Sequence, residues 1–194
     1  MSTLRVDNLN ARTGTTISIP TGTHLYSPGH VIQLQSTTIN TTQSTTSLTY
    51  VNLTGMAVSI TPKSTSSKLF IQCYAHMTSF GQNGSYLRVL RNGSIMSASI
   101  GASSQANAIN DGGGGTVMAS SGFITYAGSN SYTVVPLRLD YLDSPATTST
   151  VTYQAQWRVG TGNTTYFNSH QQSGGTNADF GWYASTISVW EIAQ

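Results

Sequence analysis

Residues 50–76 read YVNLTGMAVSITPKSTSSKLFIQCYAH. Val58 and Ile60 alternate with polar neighbours, the period of a half-buried strand. Pro62 to Ser67 interrupts it, because proline lacks the N–H that a ladder needs and the residues after it favour turns. Beyond the turn, Leu69, Ile71, Cys73 and Ala75 point to one side and Phe70, Gln72, Tyr74 and His76 to the other. The second strand is therefore usable on both faces. A sandwich core takes the aliphatic side, and the aromatic-polar side, Phe70, Gln72, Tyr74 and His76, is the expected subunit interface.

Composition points the same way. Of 194 residues only 7% are charged, against about 25% in an ordinary soluble domain. Surface polarity must come from Ser, Thr, Asn, Gln and Gly, which disfavour helices. Eight basic and six acidic residues are scattered singly, giving a net charge of +2. That is not the clustered Lys and Arg of a nucleic-acid surface. The single cysteine, Cys73, excludes an intrachain disulfide and a cysteine-based zinc site, and its place in an aliphatic alternation makes it a core residue. No apolar run is long enough to span a membrane, and no secretory signal opens the chain, so synthesis in the cytoplasm is expected.

Working outward from the central stretch, residues 1–28 hold too few apolar groups to fold alone. Leu4, Val6 and Leu9 are followed by a turn at Gly14 and then Ile17 and Ile19. The reading is an extended attachment arm, with those five residues as its anchoring points, ahead of a domain over 29–194. After Pro28-Gly29, residues 30–35 read as a first strand and the Thr-rich stretch 36–47 as a loop. Asn92-Gly93 supplies the positive φ angles of a two-residue hairpin. The glycine run 112–115 lacks the Lys-Ser/Thr of a phosphate-binding loop and reads as a surface segment. Strands are expected over 123–126 and 132–142, with Pro136 marking an edge or a bulge. Val151, Tyr153, Ala155, Trp157 and Val159 alternate with polar residues as a half-buried strand. A second long loop, 160–182, precedes a closing strand over 186–192. About eight strands separated by turns give the fold class: an all-β, antiparallel, jelly-roll-like β-sandwich preceded by an extended N-terminal arm.

Four blocks carry a resemblance: LTGMAVSITPKSTSSKLFIQCYAH, the hairpin YLRVLRNGSIM, LDSPATTSTVTYQAQW and the closing ASTISVWEIAQ. In that order they resemble a widespread group of tailed-phage virion proteins, of tail-fibre, capsid-fibre or decoration type, frequent in phages of cyanobacteria and other aquatic bacteria. The VDNL…RTG…I leader is similar to the start of such proteins. The resemblance implies a virion component made in the host cytoplasm, attached to other virion proteins through its arm and assembled with copies of itself, a homotrimer by analogy with fibre heads.

Chemistry is sparse. His24, His30, His76 and His170 show no metal-binding spacing, and Asp140 and Asp143, three apart on a strand, face opposite sides. Asp143 reads as a turn former beside Ser144-Pro145. His170 with Asp179 reads as ordinary loop chemistry. Lys63, Lys68, Arg88 and Arg91 read as solvated strand ends. No catalytic residue, metal site or cofactor is expected, and the chain is read as a non-enzyme. Tyr166, Phe167, His170, Trp182 and Tyr183 form the candidate contact with a host-surface glycan. A stand-alone carbohydrate-binding module is the alternative, and a depolymerase a third reading.

Overall fold

The computed structural model describes residues 27–79, 85–95, 134–160, 164–169 and 183–194. Among these described residues ten strands fall in two antiparallel sheets: β1 (Val31–Ile39), β2 (Gln43–Thr45), β3 (Val51–Ile60), β4 (Lys68–Ser79), β5 (Ser85–Arg91), β6 (Ser94–Ile95), β7 (Val135–Asp143), β8 (Val151–Val159), β9 (Thr165–Phe167) and β10 (Ser185–Ile192). Register shows how they are laid out. Phe70 of β4 is matched to Leu142 of β7 on one side and to Trp190 of β10 on the other, while Met77 is matched to Val135 of β7 and to Phe167 of β9. So β9 and β10 follow one another along the same side of β4. Outside them, β1 pairs with β10 and β2 with β9. The first sheet thus has four tracks, β1/β2, β10/β9, β4 and β7, and the second runs β3-β8-β5-β6.

With the tracks counted in chain order, the two sheets interleave as the double Greek key of a jelly roll. The central stretch is therefore no hairpin: β3 and β4 belong to opposite sheets, and residues 61–67 cross between them.

Alternation places the core. Leu69, Ile71, Cys73, Ala75 and Met77 of β4, Leu137 and Leu139 of β7, and Ile187 and Val189 of β10 meet Leu53, Met56, Val58, Ile60, Leu87, Val89, Val151, Tyr153, Ala155 and Trp157 from the second sheet. Trp157 packs edge-on to Phe167 at 6.2 Å. Burial pushes the Cys73 thiol up to about 12, so it stays a protonated filler.

The two buried carboxylates among the described residues are paired. Asp143 accepts two hydrogen bonds from Arg91 Nη1 (2.8 and 2.9 Å) and one from the Tyr153 hydroxyl (2.6 Å). It also accepts from the Ser144 amide, the turn-forming role expected of it. Burial, and then the bond to Asp143, raise the Tyr153 hydroxyl above its ordinary range. Arg91 is therefore no solvated strand end: it crosses the sandwich to neutralise a carboxylate that is itself buried. The wholly buried Glu191 accepts from the Lys63 amide (2.7 Å) and from Gln33 Nε2, tying the 61–67 crossing to β10 and β1.

One long side of the sandwich is closed by amide side chains. Gln33 Nε2 donates to Thr61 O (2.8 Å), and Gln43 exchanges two bonds with the Thr54 backbone (2.9 and 3.0 Å). Gly55, at φ +77°, sits in the irregular part of β3 between Asn52 and Ala57, where an added Cβ would lie 3.2 Å from Ile39 Cδ1.

The expected loop over 36–47 is instead largely strand, since β1 continues to Ile39 and β2 follows at Gln43. Its apolar content is low because Ser36 and Thr38 pair through their hydroxyls with Ser188 (2.9 Å) and Thr186 (3.0 Å). The hairpin has the expected form, with Asn92 and Gly93 at φ 49° and 78° between matched Arg91 and Ser94. Pro136 does lie on a strand at the edge of its sheet. The strand expected over 123–126, the glycine run and the arm residues Leu4, Val6, Leu9, Ile17 and Ile19 lie outside the described residues.

Candidate functional site

The outer face of the first sheet follows from the same alternation that builds the core. Even-numbered residues of β4 turn outward, and register aligns them with neighbours in rows across the tracks. One row is Leu34, Trp190, Phe70 and Leu142. Leu34 and Leu142 are 49% and 51% exposed, and Phe70 and Trp190, half-buried between them, lie with ring centroids 5.9 Å apart. The next row is polar: Ser36, Ser188, Gln72 and Asp140. A third row holds Thr38, Thr186, Tyr74 and Arg138. Arg138 Nε pairs with Asp140 at 2.6 Å, which places Asp140 outside while Asp143, three residues on, is inside.

Beyond Tyr74 the face becomes aromatic. His76 lies 5.9 Å from Tyr74 and stacks on Tyr183 at 5.4 Å, with planes 29° apart. Tyr166, matched to Thr78 of β4, faces the same way. All four expected interface residues, Phe70, Gln72, Tyr74 and His76, thus share this face, and Tyr166 and Tyr183 from the glycan-contact set join them. Phe167 does not. It is wholly buried against Trp157, because the residue beside Tyr166 on a strand must point into the core. That removes Phe167 from the receptor-facing set. His170 and Trp182 lie outside the described residues.

Between β9 and β10 the track is broken, and a buried polar neck fills the gap. Asn168, at φ 53° and wholly buried, donates through Nδ2 to Ile39 O (2.8 Å) and Thr41 O (3.3 Å), while its own amide donates to His76 O (2.9 Å). Ser185 Oγ donates to Asn168 Oδ1 (2.6 Å) and accepts from the His76 amide (2.9 Å). β9 ends at Phe167, just before Asn168, and β10 begins at Ser185, so the bond between Asn168 and Ser185 joins the two strand ends. Sequence reading missed this neck. Asn168 carried no signal, since its partner at Ile39 is 129 residues away.

Among the described residues no three His, Cys, Asp or Glu side chains gather as a metal site, and no helix is long and apolar enough to cross a membrane. No protein-family model matches the chain. A search of curated proteins returned no match.

Proposed function

We propose that this chain is a non-enzymatic structural protein of a phage virion, a fibre or capsid-decoration component whose copies meet through the outer face of the first sheet. The observation that carries the reading is the row Leu34, Trp190, Phe70 and Leu142, an apolar bar laid across all four tracks and set beside a row of hydroxyls, an amide and a carboxylate. Covering a large apolar side chain contributes about 1.5–3 kcal/mol, enough for several in one patch to drive association. The resemblance of the four sequence blocks to tailed-phage virion proteins supports the particle context and, by analogy with fibre heads, a homotrimer. In this reading residues 1–28 attach to other virion proteins.

Sedimentation velocity of the full chain over a wide concentration range tests the assembly. A species of three copies that persists on dilution is expected, and a monomer at every concentration would overturn the reading. A version lacking residues 1–28 should still assemble but fail to join particles.

A second reading, a carbohydrate-binding module, is favoured by Tyr74, His76, Tyr183 and Tyr166 on one sheet face, because aromatic rings stack on sugar rings. It predicts a monomer that binds neutral oligosaccharides there.

A further inference from the structure

The outer face of the second sheet has a different chemistry. Pairing of β5 with β8 sets Tyr86 opposite Arg158 and Arg88 opposite Gln156. Alternation turns all four away from the core, which takes Leu87, Val89, Ala155 and Trp157. The Arg158 guanidinium carbon lies 4.2 Å from the Tyr86 ring centroid and 5.3 Å from that of Tyr50, and the Arg88 guanidinium lies 3.9 Å from the same Tyr50 ring. Arg88 Nε donates to Gln156 Oε1 (2.8 Å), and Gln156 Nε2 donates to Asn52 Oδ1 (2.8 Å).

Aromatic faces steady a guanidinium without neutralising it. The hydrogen bonds of Arg158 to described residues are long ones from Nη1, to Leu48 O (3.5 Å) and Val159 O (3.4 Å). The acidic side chains among the described residues all lie elsewhere: Asp140 on the opposite outer face, Asp143 and Glu191 inside. The face therefore presents a cation held in a fixed orientation, so that pairing with an anion costs little ordering entropy. Around it stand tyrosine rings and amides able to give and accept hydrogen bonds.

We infer that this face binds an anionic polysaccharide, whose acid group pairs with Arg158 while its sugar rings and hydroxyls meet Tyr50, Tyr86, Asn52 and Gln156. Two arginines are too few for the multi-phosphate footprint of nucleic acid. Ring faces beside amides suit sugars better than an acidic peptide, whose backbone offers no flat apolar ring. The inference goes beyond the assembly reading and stands apart from it, because the other sheet supplies the self-association face. Carboxylated and sulfated chains share the recognised chemistry.

Calorimetric titration of the full chain with polygalacturonate, dextran sulfate, uncharged dextran and polyglutamate is the test. Binding to one or both acidic polysaccharides, weakened by added salt, is expected, and which of them binds identifies the acid group. Arg158→Gln should weaken it by about tenfold, the size of one lost charge-assisted hydrogen bond. Arg158→Lys should fall between wild type and Arg158→Gln, and Thr65→Ala, at an exposed position in the 61–67 crossing, should leave binding unchanged. Should Arg158→Gln fail to fold, Tyr86→Leu replaces it, with weaker binding expected. Equal binding of dextran, equal binding of polyglutamate, no binding of either acidic polysaccharide, or full affinity in the folded Arg158 or Tyr86 variant would overturn the inference.

Discussion

The outer faces of the two sheets are built on the same alternation and end up opposite in character. On the first, register lines up Leu34, Trp190, Phe70 and Leu142 in a bar. On the second, it lines up Tyr86 with Arg158 and Arg88 with Gln156. An apolar bar gains free energy only when something dry covers it, whereas a guanidinium framed by tyrosines keeps its value in contact with water. In the reading proposed above, the jelly roll divides its work by sheet, one outer face for copies of itself and one for a polar partner. The sheets differ in continuity too. Two tracks of the first are broken, at residues 40–42 and between Asn168 and Ser185, while β8 of the second runs whole through its middle.

The comparison breaks most severely if the faces are made alike. Giving the first sheet the amide character of the second, with Phe70→Gln and Trp190→Gln together, should reduce self-association by more than about 100-fold, from the apolar area each side chain would bury. Sedimentation reads this, and unaltered association would show that the bar is not the contact.

A smaller effect sharpens the contrast in continuity. Asn168→Ala leaves the Ile39 carbonyl and the Ser185 hydroxyl without their partner and should cost about 2–3 kcal/mol in urea unfolding. Because Asn168 joins tracks of the first sheet only, amide exchange should rise around Ile39 and Ser185 before it rises in β8.

In the second sheet, Gly55→Ala places a side chain at φ +77° and presses on the tip of Ile39, so a loss of about 1–2 kcal/mol is expected in the same assay. Last in size is Tyr86→Leu. It removes one ring from Arg158 and should lower stability by less than about 1 kcal/mol.

What sequence reading reached was set by period and by local chemistry. β4, β7 and β8 announce themselves because apolar residues recur at every second position along one face of each, and Asn92-Gly93 needs no distant partner to make its turn. Eight or so strands then favour a jelly roll, and the interleaved strand order bears that out. β1 and β2 were harder. Their Ser and Thr look like loop material until Ser188 and Thr186 are found opposite. Arg91 and Glu191 were illegible for a related reason, since the pairing of a charged residue shows only through partners that the fold delivers, here Asp143 for the first and Lys63 N with Gln33 for the second. Of the site, alternation in β4 placed Phe70, Gln72, Tyr74 and His76 together. Their alignment with Leu34, Trp190 and Leu142 depends on register between strands far apart in the chain, which no local pattern encodes.

The neck has a consequence for how the sheet can move. Since Asn168 and Ser185 are joined by a 2.6 Å hydrogen bond and the His76 amide donates to the same Ser185 hydroxyl, the end of β9, the start of β10 and β4 at His76 are riveted at one point, so neither β9 nor β10 can slip its register along β4 without tearing the other.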